Sequence, residues 1–392
     1  MQKHPRPDDN ALLGGITPEN FLASYWQRRW RLMRQAINPI ANPLNAQAIL
    51  RLAARDDVQS RLIVREGSRF MLEHGPFTPR RIRALPPTRW TMLVQGANLH
   101  WRSADDLLRR FAFIPYARLD DVMVSYAVPG GGVGPHFDSY DVFLLQAMGR
   151  RRWRLSAQRD LELRPRSPLR ILRRFHARIS RVLEPGDMLY LPPAVAHDGV
   201  ALDECVTYSI GFRSPRALDI AREFLIYIGD RLDMPQRFRD AGRRATRHPG
   251  ELPADLLRWA AGILRDVRWN RDDVGRFLGV HLSEPAATTF FDPPEPAISR
   301  AAFRRAAQAG VCLDPRSLML YRGRFFFING EELRAGATRD LAVLSALADQ
   351  REWRGAISNH LVDIFYEHYR RGALHMLTAG RITARWAHRA AA

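Results

Sequence analysis

Between about Trp90 and Arg213 the chain is cut into short apolar runs by glycine and proline, and no other feature limits its fold as strongly. Residues 121–128 are β-branched and aromatic and stop at Pro129-Gly130-Gly131-Gly132. Residues 141–148 read as a buried strand, and 151–157 alternate after Gly149. Residues 181–191 turn at Glu184-Pro185-Gly186-Asp187, and 205–212 form another strand. Short runs of this kind, joined by turns rather than by long helices, favour a sandwich or barrel over a parallel α/β sheet.

Helices flank this region. Thr17-Pro18-Glu19 reads as a helix start, with Thr17 as cap and Phe21, Leu22, Tyr25 and Trp26 at helical spacing behind it; a second helix follows 42–45. After Ser214-Pro215, Leu218, Ala221, Leu225 and Ile228 keep a helical rhythm, and 252–267 and 271–281 are further helices. Asp292-Pro293-Pro294-Glu295-Pro296 reads as a stiff linker. Beyond it Ser299 caps a helix, and 318–321 and 325–328 flank Arg322-Gly323-Arg324 as a hairpin, with two more helices after. Helix, hairpin and helices in under 100 residues suggest a winged-helix-like module. With 392 residues the chain has room for two or three domains.

Sixty basic against forty-one acidic residues give +19, a balance that suggests a polyanion nearby. Lys3 is the sole lysine, so the excess is arginine and equally fits codon bias; affinity for RNA or ribosomes and a merely solvated basic surface both stay open. No run approaches 18 apolar residues, the start lacks a secretory h-region, and Cys205 and Cys312 cannot build a disulfide framework or a cysteine zinc site. A cytoplasmic protein with no membrane partner is the expectation.

Chemistry concentrates at His136-Phe137-Asp138, which follows a strand and a glycine loop. In an extended segment residues i and i+2 point the same way, so His136 and Asp138 can converge on one ion. His197, sixty-one positions on, can complete a 2-His-1-carboxylate triad, the set that holds Fe(II) with three positions open. Otherwise His136 is a barrel histidine and His197 a loop residue. An Fe(II) oxygenase of this type also needs a cation for the distal carboxylate of 2-oxoglutarate. In Gly149-Arg150-Arg151-Arg152-Trp153, strand alternation sends Arg151 with Trp153 and Leu155, and an inward Arg151 can pair with that carboxylate; Ser125 adds a hydroxyl. There is no Walker lysine, no Gly-x-Gly-x-x-Gly, no Gly-x-Ser-x-Gly, and His360 and His368 lack metal spacing.

The segment 128–143, with Gly149-Arg150-Arg151-Arg152-Trp153-Arg154, resembles the bacterial ribosomal oxygenases. These are JmjC-type cupin enzymes that hydroxylate an arginine of the large-subunit ribosomal protein L-sixteen. The likeness extends to Tyr25-Trp26-Gln27-Arg28, His74-Gly75-Pro76-Phe77, 183–193, 208–213 and Phe327-Ile328-Asn329-Gly330-Glu331. It implies a mixed α+β chain: a double-stranded β-helix (cupin/JmjC) domain over 1–214, a helical dimerisation region over 215–292, and a C-terminal winged helix over 293–392. It implies iron at His136, Asp138 and His197, 2-oxoglutarate held by Arg151 with Ser125, O2 as oxidant, and the β-carbon of an arginine as target. Thr207 stands where an asparagine is expected near the cosubstrate, and the role of the tail 384–392 is unassigned. A histidine hydroxylase, another JmjC protein oxygenase and a catalytically idle, ribosome-docking cupin are the competing readings. Because the substrate is itself basic, the acceptor groove should be locally acidic. Asp120, Asp121 and Asp141 are the candidate carboxylates and Tyr140 a wall; alternatively Asp120 and Asp121 cap an outer turn.

Overall fold

The computed structural model describes residues 9–37, 40, 43–67, 69–378 and 381–382; the tail 384–392 lies outside the described residues. Contacts divide the chain into two units. The first comprises residues 1–214, 285–318 and 335–392, and the second 215–284 and 319–334.

Eleven strands build the first part of unit one: β1 (Arg31–Met33), β2 (Ser60–Glu66), β3 (Arg69–His74), β4 (Trp90–Val94), β5 (Leu119–Ala127), β6 (Val142–Met148), β7 (Arg151–Ser156), β8 (Ile179–Leu183), β9 (Met188–Leu191), β10 (Ala196–Ala201) and β11 (Cys205–Phe212). Eight form one sheet in the order β1-β9-β6-β11-β5-β4-β2-β3, and three form another in the order β10-β7-β8. Every pairing is antiparallel. Two facing antiparallel sheets with consecutive strands crossing between them make the double-stranded β-helix that the family resemblance implies, one form of the sandwich or barrel favoured by the turn-cut texture. All five strand segments read from sequence are present. Missed are β4, along with β1 to β3, which are short or carry alternating charge, and β10, whose small residues hide its pleat.

Alternation along the central strands separates two environments. One face of the large sheet carries Val124, Tyr126, Val206, Tyr208, Leu145 and Phe143, packed against the N-terminal helices. Its centre is a ring cluster in which Phe143 lies 4.8 Å from Phe111, 4.9 Å from Tyr190 and 5.4 Å from Phe21. Each such ring, fully buried, contributes about 1.5–3 kcal/mol. The helices that supply Phe21 and Ile49 start where the caps demand: Thr17 Oγ1 accepts from Asn20 N and Asn45 Oδ1 from Ala48 N. The opposite face looks into the barrel. Val142, Leu144, Leu189 and Leu191 meet Trp153, Leu155 and Leu183 of the small sheet there, and Ala127 and Cys205 meet Ala201.

Glycine closes the barrel where backbones touch. A Cβ on Gly132 would lie 2.4 Å from the carbonyl of Gly199, and one on Gly199 would lie 2.7 Å from the Trp153 ring.

The rest of unit one holds a helix (Arg300–Ala306) capped by Ser299, helices Thr338–Gln350 and Asn359–Arg370, and short strands of which Val311–Leu313 pairs with Leu374–Thr378. Unit two holds helices Ala217–Gly229, Ala254–Asp266 and Arg271–Ser283, and the hairpin Met319–Arg322/Phe325–Ile328. These helices and this hairpin match the sequence reading, but the boundary at 292 does not match how contacts group. Phe327 packs on Gly279 and Ser283 Oγ accepts from Gly330 N, so the hairpin belongs with the helices before the linker. Among the described residues no helix is long and apolar enough to cross a membrane.

Candidate metal and cosubstrate site

The segment after the glycine loop docks on β10. His136 N donates to His197 O at 2.9 Å and His197 N to His136 O at 2.8 Å. This two-bond bridge sets the imidazole rings 4.2 Å apart. Asp138, two residues on, brings Oδ2 to 3.6 Å from His197 Nε2. One ligand atom from each of the three residues falls within 4.8 Å of the others, and this is the grouping of metal-ligating side chains found among the described residues. His197 is thus a strand residue, not a loop residue.

The second ring nitrogens orient the first. His136 Nδ1–H donates to Gly134 O and His197 Nδ1–H to Val195 O, each at 2.9 Å. A proton on Nδ1 leaves the Nε2 lone pair of both rings as the ligand atom. Burial, and then the neighbouring His136, push the His197 imidazole well below its ordinary pKa, so it stays neutral. Burial raises the Asp138 carboxyl, opposed by His136, the Tyr140 hydroxyl and Arg170. Two imidazoles and one carboxylate on one side of a point fit Fe(II) and other first-row dications.

Behind the triad, β7 follows the expected phase: Arg151, Trp153 and Leu155 are buried while Arg152 and Arg154 are exposed. Leu155 pairs with His197, Trp153 with Gly199 and Arg151 with Ala201, so Arg151 lies four residues, about 13 Å of strand, from the metal ligands. The Trp153 ring, 5.8 Å from that of His197, spans the interval. Arg151 is 5% exposed, yet its Nε and Nη2 have no hydrogen-bond partner among the described residues, and neither has Trp153 Nε1. A buried guanidinium without a counter-ion is costly, and an anion is the group that satisfies it. The donor set and this orphaned cation together fit a dication with a dicarboxylic acid. Arg150, by contrast, is exposed and paired with Asp203 at 2.8 Å.

Ser125 lies on the barrel-facing side of β5, opposite Thr207, and is buried. The Thr207 hydroxyl donates to Gln146 Oε1 at 3.0 Å, so the residue standing in place of an asparagine ties β11 to β6. Thr91, opposite Ala127 on β4, points its buried hydroxyl to the same face without a partner among the described residues. Sequence reasoning passed over Thr91 and Gln146; polar residues inside otherwise apolar strands were the available signal.

At the mouth, Tyr140 is 40% exposed. Burial and then Asp138, Asp121 and Asp120 push its phenol up, which puts all three carboxylates in its electrostatic reach. Asp120 is exposed, with Arg213 at 3.6 Å. Asp121 accepts from Gln95 Nε2 and Gly96 N, both at 2.7 Å, and burial followed by Asp120 raises it to about 6. Asp141 is corrected. It is fully buried, accepting from the Tyr190 hydroxyl at 2.6 Å and Gln27 Nε2 at 3.0 Å, and it anchors the N-terminal segment rather than facing a substrate. His368 is buried on the helix Asn359–Arg370 and takes no part in the site.

This barrel and triad define a JmjC-type cupin oxygenase. The JmjC domain family matches residues 106–220, and the ROXA-like winged helix matches residues 266–363. The chain is 34% identical over 280 residues to the ribosomal protein uL16 3-hydroxylase of Escherichia coli K12, covering 71% of this chain and 74% of that one. It is 39% identical over 211 residues to a probable ribosomal oxygenase of Haemophilus influenzae, about half of each chain. Solved structures of E. coli YcfD superpose with a TM-score of 0.80 at 27% identity, covering 92% of this chain and 98% of that one. The YcfD complex with cobalt and 2-oxoglutarate superposes at 0.76 and 28% identity, covering 93% and 99%. The chain belongs to the bacterial ribosomal oxygenases.

Proposed function

We propose that the chain is an Fe(II)- and 2-oxoglutarate-dependent oxygenase that hydroxylates the β-carbon of an arginine in ribosomal protein uL16, in the cytoplasm. The relative named for uL16 3-hydroxylation supports the substrate class. The observation that carries the chemistry is the buried Arg151 guanidinium, whose Nε and Nη2 have no hydrogen-bond partner among the described residues, on the strand facing the His136-Asp138-His197 triad. Bound there, the metal with 2-oxoglutarate and O2 supplies the oxidising power for an unactivated C–H bond. The chain's own part is positional. His136, Asp138 and His197 hold the metal from one side. Arg151 takes the distal carboxylate in a charge-assisted pair, with Ser125 lining the same face. Val142, Leu144, Trp153, Leu183 and Leu191 keep water from the interior. At the mouth a target guanidinium meets Asp120, Asp121 and Tyr140.

The protein is proposed to act as a homodimer. Helices Ala217–Gly229 and Ala254–Asp266 leave Leu225 61% exposed and Leu264 72% exposed, with Leu218, Ile226 and Leu257 beside them, an apolar area typical of an interface. The test is mass spectrometry of a uL16 peptide incubated with the iron-loaded enzyme and 2-oxoglutarate. A gain of one oxygen on arginine is expected. A histidine peptide oxidised in preference would favour the histidine hydroxylase, and no turnover would favour an idle cupin.

A further inference from the structure

The connection between β7 and β8 is strongly basic, and it borders the metal site. Residues 157–178 carry Arg159, Arg164, Arg166, Arg170, Arg173, Arg174 and Arg178 against Asp160 and Glu162, a net of +5 in twenty-two residues. That is about twice the arginine density of the whole chain. All seven arginines are exposed. Glu162 pairs with Arg173 at 2.7 Å and Asp160 approaches Arg174 at 4.0 Å. The segment's own carboxylates leave it a net +5, with Arg170 also in electrostatic reach of Asp138.

The segment is built rather than loose. Arg164 N donates to Ile171 O and Arg173 N to Glu162 O, both at 2.8 Å, which closes a hairpin around Pro165-Arg166-Ser167-Pro168. Leu172 N donates to Pro135 O at 2.8 Å, the residue before His136. Ile171 and Phe70 pack around Gly134, so the β2–β3 hairpin with exposed Arg65 and Arg69 joins the same rim. Arginines also lie over two half-buried rings, Arg170 over Phe137 and Arg154 over Phe175, both at 5.8 Å.

This rim runs against the substrate's needs. A basic peptide approaching the triad gains nothing from it, and an acidic mouth is present separately around Tyr140. Guanidinium forks presented along a fixed hairpin, with aromatic rings beneath, match a polynucleotide backbone, where phosphates accept the forks and released counter-ions drive binding. We propose that residues 157–178, with Arg65 and Arg69, form an RNA-binding surface beside the active site. In preferring RNA the inference rests on the ribosomal substrate proposed above, but the surface is tested without iron, 2-oxoglutarate or peptide, so failure of RNA binding and failure of hydroxylation are separate results.

The experiment is fluorescence anisotropy of the full chain with a labelled 20-nucleotide single-stranded RNA across a salt series. A single strand loses about 0.7 in log–log slope per phosphate neutralised. Five contacts then predict a slope of about −3.5. The triple variant R159E/R166E/R178E should weaken binding at least tenfold and flatten the slope; the milder R159Q/R166Q/R178Q should act in the same direction and guards against misfolding. R304E/R305E/R339E, the same charge change on the winged-helix part, should leave most of the affinity. No binding at low salt overturns the proposal. So does an equal loss in the winged-helix variant, which would assign binding to net charge or to that module. Displacement of RNA by polyglutamate of matched charge at equal concentration would identify an acidic protein partner instead.

Discussion

His136 and His197 are joined through their backbones before any metal arrives: each donates its N–H to the other's carbonyl, at 2.9 and 2.8 Å. Two ligands far apart in sequence are therefore held at one separation by sheet pairing, and the Nδ1 bonds to Gly134 and Val195 fix which nitrogen faces the metal.

Removing one ligand should therefore abolish metal-dependent turnover while leaving the fold intact. H136A, D138A and H197A are each expected to lose 2-oxoglutarate decarboxylation, since two remaining ligands hold the metal poorly. The check is iron or cobalt titration by calorimetry together with a turnover assay; near-normal decarboxylation by iron-loaded H197A would remove His197 from the triad.

Arg151 and Arg150 should separate cleanly. R151A removes the buried cation and is expected to weaken 2-oxoglutarate by about 1.5–3 kcal/mol, or about 10- to 150-fold. R150A loses only an exposed pair with Asp203 and should bind within about twofold. The reverse order in a binding titration would mean that the strand carrying both is out of phase with the assignment.

If Asp121 meets the target guanidinium as proposed, the arginine reaction should depend on pH. The Asp121 carboxyl is raised to about 6, so it is ionised above that value and neutral below it. Attraction for a target guanidinium is then present at pH 7 and lost as the pH falls through 6. The peptide KM should rise on acidification while peptide-free decarboxylation changes less, and D121N should show the raised KM at every pH. A KM for D121N equal to the native one at pH 7 would discard Asp121 as a substrate contact.

The exposed leucines of the central helices predict an oligomer. L257D/L264D should convert a dimer to a monomer, read as a halved mass by light scattering at micromolar concentration. A monomer mass for the unmodified protein would defeat the dimer outright.

The sequence by itself determined the features that depend on short-range pattern. Gly/Pro punctuation announced antiparallel strands, period-two alternation put Arg151 inside and Arg150 and Arg152 outside, and the i, i+2 geometry of an extended segment made His136 and Asp138 partners. The caps Thr17, Asn45 and Ser299 lie where local hydrogen bonding requires them. Only the tertiary structure decided what depends on which surfaces meet. It placed His197 on β10, paired to His136 across a sheet that nothing local encodes. It buried Asp141 beneath Tyr190 and Gln27, although its sequence neighbour Tyr140 is at the mouth. It grouped the hairpin around Gly323 with the helices before the linker, because Gly279 admits Phe327 at a distance no side chain allows. A residue's pleat and cap follow from its immediate neighbours. Its burial, its partners and the charge it keeps follow from chain segments that packing brings to it from tens of positions away.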